Sequence, residues 1–268
     1  MSGNAFELTG VRFEYRRGTA VFRDLSVSLP AGKTTVIVGP SGVGKSTLLG
    51  LLGLLWEKPL PAGRVRYNRG DAAAPNWVEY DSNLSQAVRA WLRASAFGFI
   101  PQSSYLLPNF RCRENVGMPL ALAGKTRDER AERVRALVAA ADRVSGPLLA
   151  EAAERYPHEV SGGERQRFAV LRAVAHDPRV VFADEPMSNL DPPSAARVEA
   201  LLRGWQADGA GLSRWGSRTL VVSTHSSRVA WSVGDHFLFF TGVGEHRLLD
   251  RTEVGCLNGL ERRMEAWG

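Results

Sequence analysis

The segment that most constrains the fold of this chain runs from Val36 to Leu49, with the sequence VIVGPSGVGKSTLL. It has the pattern of a buried strand, a glycine-rich turn and the start of an apolar helix. The motif G-x-x-x-x-G-K-S lies inside it, from Gly39 to Ser46. Glycines leave the backbone N–H groups of such a turn free to point at an anion, and the helix that follows presents the positive end of its dipole. The motif therefore predicts a phosphate-binding loop for a nucleotide triphosphate.

In this loop the usual roles place Lys45 on the β- and γ-phosphates and the Ser46 hydroxyl on Mg²⁺. The residues predicted to contact ATP here are consecutive: Gly39, Pro40, Ser41, Gly42, Val43, Gly44, Lys45, Ser46 and Thr47.

Length and composition indicate an ordinary globular protein. The 268 residues, 44% of them hydrophobic, suit one large α/β domain with a subdomain. The longest strongly apolar stretch, Leu48 to Trp56, is too short to cross a membrane. Met1 to Glu7 lacks the basic and apolar regions of a secretory signal, so we expect a cytoplasmic protein. The two cysteines, Cys112 and Cys256, have no metal-ligand spacing.

The net charge of +6 and the pI near 9.7 leave a nucleic-acid or anionic-membrane partner open. However, segments such as 127–133 mix arginine with acidic residues at helical spacing, which is typical of a solvated, ion-paired helix face. We therefore expect no nucleic-acid partner.

Two later segments have the pattern of buried strands that end in polar residues. Val180 to Ala183 is continuously apolar and leads to Asp184 and Glu185, and Arg218 to Thr224 leads to His225. Ligands of open α/β sheets bind at the carboxyl ends of strands. Adjacent acids at such a position suit one carboxylate for Mg²⁺ and one to orient or deprotonate water. His225 alone could equally be a satisfied polar group.

The rest of the chain separates into an N-terminal antiparallel sheet and a helical region. Phe6 to Tyr15 and Leu25 to Leu29 have short alternating patterns of antiparallel strands. From Ser103 to Pro157 strand signals are absent and helical patterns dominate, at 114–123, 126–144 and 147–155, which predicts a helical subdomain at 103–158 inserted into the core. The order Thr126-x-x-Glu129 predicts a capping box at the start of the second of these helices. Ser161-Gly162-Gly163 at the next helix start could be a second anion site or a plain helix cap.

Taken together in this order, the motifs resemble those of the ATP-binding cassette (ABC) ATPases over nearly the whole length of the chain. The fold class that this resemblance implies is α/β, with a P-loop NTPase (RecA-like) parallel-sheet core in a single domain, 1–268, whose second part is 159–268. The resemblance also implies that Tyr15 stacks on adenine and that Gln102 senses the metal, the attacking water and the transport partner. Asp184 matches the magnesium-site acid, Glu185 the catalytic base and His225 the γ-phosphate switch.

The same resemblance implies a dimer of cassettes, in which each subunit completes the ATP site of the other. Ser161, Gly162 and Gly163, with Glu164 after them, match the signature segment that contacts the γ-phosphate held by the opposite subunit. The loop that crosses the dimer interface is matched by Ser188, Asn189, Leu190 and Asp191.

A narrower resemblance lies in the segments 99–110 and 114–120, FIPQSSYLLPNF and ENVGMPL. They are similar to the ATPase subunits of the lipoprotein-release, macrolide-efflux and cell-division group (LolD, MacB and FtsE type). This similarity implies a membrane permease partner that docks in a groove around Gln102 to Phe110, and a location on the cytoplasmic face of the inner membrane. Alternatively, those apolar residues form the core of the helical subdomain itself. Three functions stay open: a transporter subunit, a cell-division-type regulator, and a soluble ABC ATPase acting on DNA or ribosomes.

Overall fold

The computed structural model describes residues 3–16, 19–56, 62–70, 74, 76–146, 149–207, 218–242 and 245–266. The strands are β1 (Asn4–Arg16), β2 (Thr19–Pro30), β3 (Thr34–Val38), β4 (Ala62–Asn68), β5 (Trp77–Glu79), β6 (Phe97–Ile100), β7 (Val180–Asp184), β8 (Thr219–Thr224), β9 (His236–Gly242) and β10 (Glu245–Asp250). The helices are α1 (Lys45–Leu52), α2 (Gln86–Ser95), α3 (Cys112–Leu122), α4 (Arg127–Ser145), α5 (Leu149–Ala152), α6 (Gly162–Val174), α7 (Pro192–Gln206), α8 (Ser227–Val233), α9 (Arg251–Val254) and α10 (Leu257–Glu265).

The chain forms two compact units. The first comprises Met1–Ala90 and Thr219–Gly268, and the second comprises Trp91–Arg218.

The first unit contains the predicted N-terminal antiparallel sheet, with strand order β2-β1-β4-β5. Its inner face buries aromatic side chains such as Phe6, Phe22 and Tyr67, which contribute most per residue to the apolar surface removed from water. Strand β5 was not predicted. It has only three residues and is defined by its pairing with β4, in which Tyr67 lies opposite Val78, so tertiary pairing rather than a local pattern determines it.

The first unit also contains the parallel strands that carry the phosphate loop. The strand order here is β10-β9-β3-β8, with β3 parallel to both β9 and β8. All residues of β3 and β8 are buried. Because both faces are covered, these strands consist almost entirely of apolar and β-branched residues, as predicted.

The second unit contains the parallel pair β6 and β7 and the helices α3 to α7. The predicted capping box of α4 is present: the Thr126 hydroxyl accepts from the N–H of Glu129, and the Glu129 carboxylate accepts from the N–H of Thr126. The helix predicted from Pro147 is shorter in the structure, Leu149–Ala152. The sequence also predicts a long linker from Gly209 to Gly216 and an insertion from Gly70 to Asn76. All of the linker and most of the insertion lie outside the described residues.

Candidate active site

The phosphate loop connects the buried strand β3 to helix α1, which begins at Lys45. Gly44 caps this helix with a φ of 109°, a conformation that residues with a Cβ rarely adopt. A Cβ at Gly44 would also lie 2.5 Å from Cγ1 of Val21. Glycine is therefore required here both by the backbone conformation and by the packing of β2 against the loop.

The Lys45 side chain is buried and folds back over the loop. Its Nζ donates to the carbonyl oxygens of Gly39 (2.9 Å) and Pro40 (3.0 Å). Ser41, Gly42 and Ser46 are exposed. The loop thus holds one ammonium group beside open backbone and hydroxyl groups, an arrangement that suits the oxygens of a bound phosphate chain.

Tyr15 lies beside the phosphate loop. Its hydroxyl is 2.5 Å from the Thr47 hydroxyl, and its ring meets the Trp56 ring edge to face at a centroid distance of 5.2 Å. Trp56 also donates to the Thr47 carbonyl oxygen (3.3 Å). With 46% of its surface exposed, Tyr15 has ring area available for a nucleotide base. Sequence reasoning missed Trp56, because it follows the end of α1 with no motif around it.

His225 lies at the same edge of the sheet as the phosphate loop. In the parallel pairing of β3 and β8, Val38 is opposite Thr224. Gly39 directly follows β3 and His225 directly follows β8, and the His225 side chain is exposed. The first unit therefore brings together the predicted groups Tyr15, 39–47 and His225.

In the second unit, strand pairing likewise brings Gln102 and the acidic pair Asp184 and Glu185 to one edge of the sheet. In the parallel pairing of β6 and β7, Ile100 is opposite Ala183, so that Gln102 and Asp184 follow at one sheet edge. Glu185 has a φ of 46°, and both the N–H and the hydroxyl of Ser188 donate to its carbonyl oxygen (3.0 and 2.9 Å). A non-glycine residue held in this region costs about 1 to 3 kcal/mol and persists only where its surroundings impose it.

Ser161 is the N-cap of α6. Its hydroxyl accepts from the N–H of Glu164 (3.2 Å), and the Glu164 carboxylate accepts from the N–H of Ser161 (2.8 Å). Burial raises the pKa of Glu164, but these hydrogen bonds outweigh it and hold the pKa below its ordinary value. The cap interpretation of Ser161 is thus confirmed, and its contact with a phosphate remains a prediction.

Helix capping and close packing also order the start of α7, the segment that precedes it, and the start of α6. Asp191 caps α7 by accepting from the N–H of Ser194 (3.0 Å), and Asn189 has a φ of 61°. Gly163 is buried against Ser194, whose Oγ lies 2.5 Å from the position of a Cβ at Gly163. The start of α6 and the start of α7 are therefore in direct contact.

Each unit has oxygen donors of the kind that Mg²⁺, the metal implied by the sequence resemblance, prefers. The first unit has the hydroxyl of Ser46, and the second has the carboxylate of Asp184 and the amide oxygen of Gln102.

A phosphate loop at the end of a buried parallel strand defines a P-loop nucleotide-binding protein. A family model described as "ABC transporter" matches residues 22–188, which is more than half of the chain. The chain therefore belongs to the ABC transporter family, as an ATP-binding and ATP-hydrolysing cassette. This confirms the family and the fold class predicted from the sequence.

Two relatives illustrate the similarity. The lipoprotein-releasing system ATP-binding protein LolD of Paramagnetospirillum magneticum is 36% identical over 234 residues, 86% of this chain and 92% of the relative. The pyoverdine export ATP-binding/permease protein PvdT of Pseudomonas aeruginosa is 37% identical over 228 residues, 84% of this chain. The match spans only 31% of the PvdT length.

A solved structure of an ATP-binding cassette is also similar to this chain. The dimeric post-hydrolysis state of the ATP-binding cassette MJ0796 bound to ADP and Pi superposes with a TM-score of 0.72 and 26% identity, covering 90% of this chain and 97% of that one. Among the described residues, no helix of this chain is both long and apolar enough to cross a membrane.

Proposed function

We propose that this chain is the ATP-hydrolysing subunit of a membrane transporter and that ATP-driven closure of two cassettes moves a permease partner. In this proposal residues 1–268 act as one cassette, with the helical subdomain 103–158 inserted ahead of its second part, 159–268. The observation that carries the proposal is the geometry of the phosphate loop at the end of β3, in which the Lys45 ammonium is held by the carbonyl oxygens of Gly39 and Pro40 and the residues Ser41, Gly42 and Ser46 are exposed.

The proposed roles at the nucleotide follow from the chemistry of each group. Tyr15 stacks on adenine, and the loop residues 39–47 bind the phosphates. Ser46, Asp184 and Gln102 hold Mg²⁺, which when bound supplies positive charge at the β- and γ-phosphate oxygens. Glu185 acts as the general base toward the attacking water, and His225 contacts the γ-phosphate.

The dimer is proposed to form head to tail around two ATP molecules. The exposed Ser161 and Gly162, with Gly163 and Glu164, would face the γ-phosphate of the opposite subunit, and the loop 188–191 would cross the interface. The dimeric state of the similar cassette MJ0796 supports this arrangement. Contacts that are made to the γ-phosphate only in the closed dimer make ATP binding favour closure and hydrolysis favour opening.

The proposed docking surface for the permease is the segment 102–110. Tyr105, Leu107 and Phe110 are 71%, 40% and 43% exposed, although all three are large and apolar. This is the opposite of what the core interpretation requires, because core residues would be buried. Exposed apolar side chains grouped on one segment are typical of a protein interaction site.

Hydrogen bonds from α3 order the backbone of this segment at Leu107 and Phe110. Asn115 of α3, which is fully buried, accepts from the N–H of Leu107 (2.7 Å). It also donates to the carbonyl oxygens of Leu107 (3.1 Å) and Phe110 (3.0 Å). A surface that is ordered before binding loses less conformational entropy when a partner docks.

A cavity of about 680 Å³ adjoins the segment in the second unit. Phe110 and Met118 are among its lining residues, together with small side chains of α4 and α5. Its size is within the range of a groove that accepts a few side chains of a partner helix. The cavity and the segment 102–110 together form the proposed docking surface.

The names of the relatives support a membrane partner and a place on the cytoplasmic face of the membrane. LolD is named for a lipoprotein-releasing system, and PvdT combines an export ATPase with a permease in one chain. Several arginines are paired with glutamates, among them Arg64 with Glu79 and Arg113 with Glu154. This supports a solvated surface and argues against nucleic acid as the partner.

The test is a pull-down of the Glu185→Gln variant with MgATP from detergent-solubilised membranes, read out by mass spectrometry. We expect a single integral membrane protein with a large domain outside the membrane. Tyr105→Ser combined with Phe110→Ser should abolish its recovery. Leu55→Ser, a matched control at a residue that is 54% exposed in the first unit, should leave recovery unchanged.

Recovery of only soluble protein or nucleic acid would contradict the proposal and favour a soluble ABC ATPase. If a membrane partner is recovered, the effect of deleting it separates transport from a cell-division role.

A further inference from the structure

The buried side chain of Gln166 joins two segments that flank the proposed catalytic groups. Gln166 lies in the second turn of α6 and is only 2% exposed. Its Oε1 accepts from the hydroxyl of Ser104 (2.5 Å), and its Nε2 donates to the carbonyl oxygen of Pro186 (2.8 Å). Ser104 is two residues after Gln102, and Pro186 directly follows Glu185.

The orientation of this carboxamide is fixed by the chemistry of its partners. The carbonyl oxygen of Pro186 can only accept a hydrogen bond, so the NH₂ group of Gln166 must face it. The Ser104 hydroxyl can donate and therefore faces the remaining oxygen. Both bonds of this buried amide go to other segments of the chain, and each would leave an unsatisfied polar group if it were lost.

On one side, Gln166 restrains the backbone that carries Glu185. The turn from Glu185 to Ser188 has a positive φ at its first residue, and both hydrogen bonds from Ser188 close it from within. The bond from Gln166 to Pro186 holds the same turn from α6. The direction of the Glu185 side chain therefore depends on a backbone conformation that Gln166 helps to impose.

On the other side, α6 holds the proposed docking segment. Besides the bond from Ser104 to Gln166, Arg172 of α6 donates to the carbonyl oxygen of Tyr105 (2.6 Å). A displacement of the segment at Ser104 and Tyr105 is thus transmitted to α6 at two points. One of these points, Gln166, is in contact with the Glu185 turn.

We propose that Gln166 is a positioning residue that couples the docking segment to the orientation of Glu185. The inference rests on the proposed function, since it requires Glu185 to act on ATP and the segment 102–110 to bind a partner. Movement of the segment shifts Ser104, Gln166 and Pro186 in turn and thereby changes the position of the carboxylate. Gln166 itself does not contact the nucleotide.

The kinetic test uses the whole chain with MgATP. Gln166→Met keeps the length of the side chain but loses both bonds, and Gln166→Glu keeps the acceptor for Ser104 but, when ionised, cannot donate to Pro186. Because misplacement of a catalytic group by about 1 Å can cost up to about 100-fold, we expect both variants to lower kcat by about 10- to 100-fold. The KM for ATP should stay within about twofold, since binding groups are untouched. Ser104→Ala keeps the bond from Gln166 to Pro186, so it should lower kcat by less than either Gln166 variant.

The coupling test is amide hydrogen exchange with and without MgATP. In the wild-type chain MgATP should protect residues 39–47 and also change exchange at 103–107. In Gln166→Met and in Ser104→Ala the protection of 39–47 should persist and the response of 103–107 should be lost. Gln86→Met, at an exposed position on α2, is the control and should behave as the wild type.

The outcomes separate this inference from the proposed function. If MgATP does not protect residues 39–47 in the wild type, the proposed function fails and the inference fails with it. If 39–47 are protected but 103–107 respond equally in wild type and variants, or do not respond at all, only the role of Gln166 is overturned. Equal changes in kcat and KM would also overturn it. Ser104→Ala leaves α6 unchanged, so the exchange test holds even if the Gln166 variants do not fold.

Discussion

At the scale of single residues, Glu185 has a backbone conformation that residues with a Cβ rarely adopt. Its φ of 46° directs the residue just beyond the end of β7, next to Asp184. If Glu185 is the general base, Glu185→Gln should lower kcat by about 10² to 10⁴, the usual contribution of general-base catalysis. Steady-state phosphate release measures kcat, and the affinity for ATP should be unchanged.

The matched control for this prediction is Glu199→Gln. Glu199 lies on α7 and forms an exposed ion pair with Arg203, so turnover should stay at the wild-type level. Wild-type turnover in Glu185→Gln would remove Glu185 from its proposed role.

Lys45 is expected to act in binding. Its ammonium now donates to two carbonyl oxygens of its own loop, and a bound phosphate chain would accept from it instead. Charge-assisted hydrogen bonds of this kind contribute about 1.5 to 3 kcal/mol, which corresponds to about 10- to 150-fold in Kd. Lys45→Ala should weaken ATP binding by that factor in a titration with a fluorescent ATP analogue. Lys125→Ala, at an exposed pair with Glu129, should not. An unchanged Kd in Lys45→Ala would count against the phosphate-loop assignment.

At the scale of elements, substitution of two adjacent glycines, Gly162 and Gly163, tests the contact between α6 and α7. A Cβ at Gly163 would lie 2.5 Å from Oγ and 2.7 Å from Cβ of Ser194, whereas a Cβ at Gly162 would meet no atom closer than 3.8 Å. Overpacking of this kind typically costs about 1 to 3 kcal/mol. Gly163→Ala should therefore lower the free energy of unfolding by that amount, and Gly162→Ala should not.

Urea denaturation provides the measurement, and a second substitution identifies the cause. Ser194→Gly removes both close atoms, so Gly163→Ala combined with Ser194→Gly should recover most of the lost stability relative to Ser194→Gly alone. If Gly162→Ala and Gly163→Ala have equal free energies of unfolding, α6 and α7 move apart at Gly163 without loss of stability, and the prediction is wrong.

At the scale of the whole molecule, the sequence predicted those features whose residues are adjacent in the chain. The phosphate loop, the capping box at Thr126 and the buried strands β3, β7 and β8 each depend on one continuous segment, and all three kinds of feature were confirmed. The features it could not predict depend on residues distant in sequence. The hydrogen bonds of Gln166 join positions 104, 166 and 186, and the hydroxyl of Tyr15 meets Thr47 across 32 positions. No local pattern specifies such partners, because tertiary packing brings them together.

Dimer formation is the property of the whole molecule that the proposed function most requires. The Glu185→Gln variant with MgATP should change from the 29.3 kDa monomer to twice that mass in light scattering, because ATP is bound but not hydrolysed. Ser161→Asp should abolish the change in this background. Aspartate is as good an N-cap as serine, so α6 should keep its capped start, while the added negative charge would face the γ-phosphate of the opposite subunit.

Ser161→Asn separates the effect of charge from that of the cap, since asparagine also caps helices well but is neutral. We expect Ser161→Asn to dimerise with MgATP at least partly and Ser161→Asp to remain monomeric. Both should have the unfolding midpoint of the parent variant, because the hydrogen bond to the N–H of Glu164 is retained. Dimerisation of Ser161→Asp to the same extent as the parent would place the γ-phosphate away from Ser161. The segment would then be a helix cap alone.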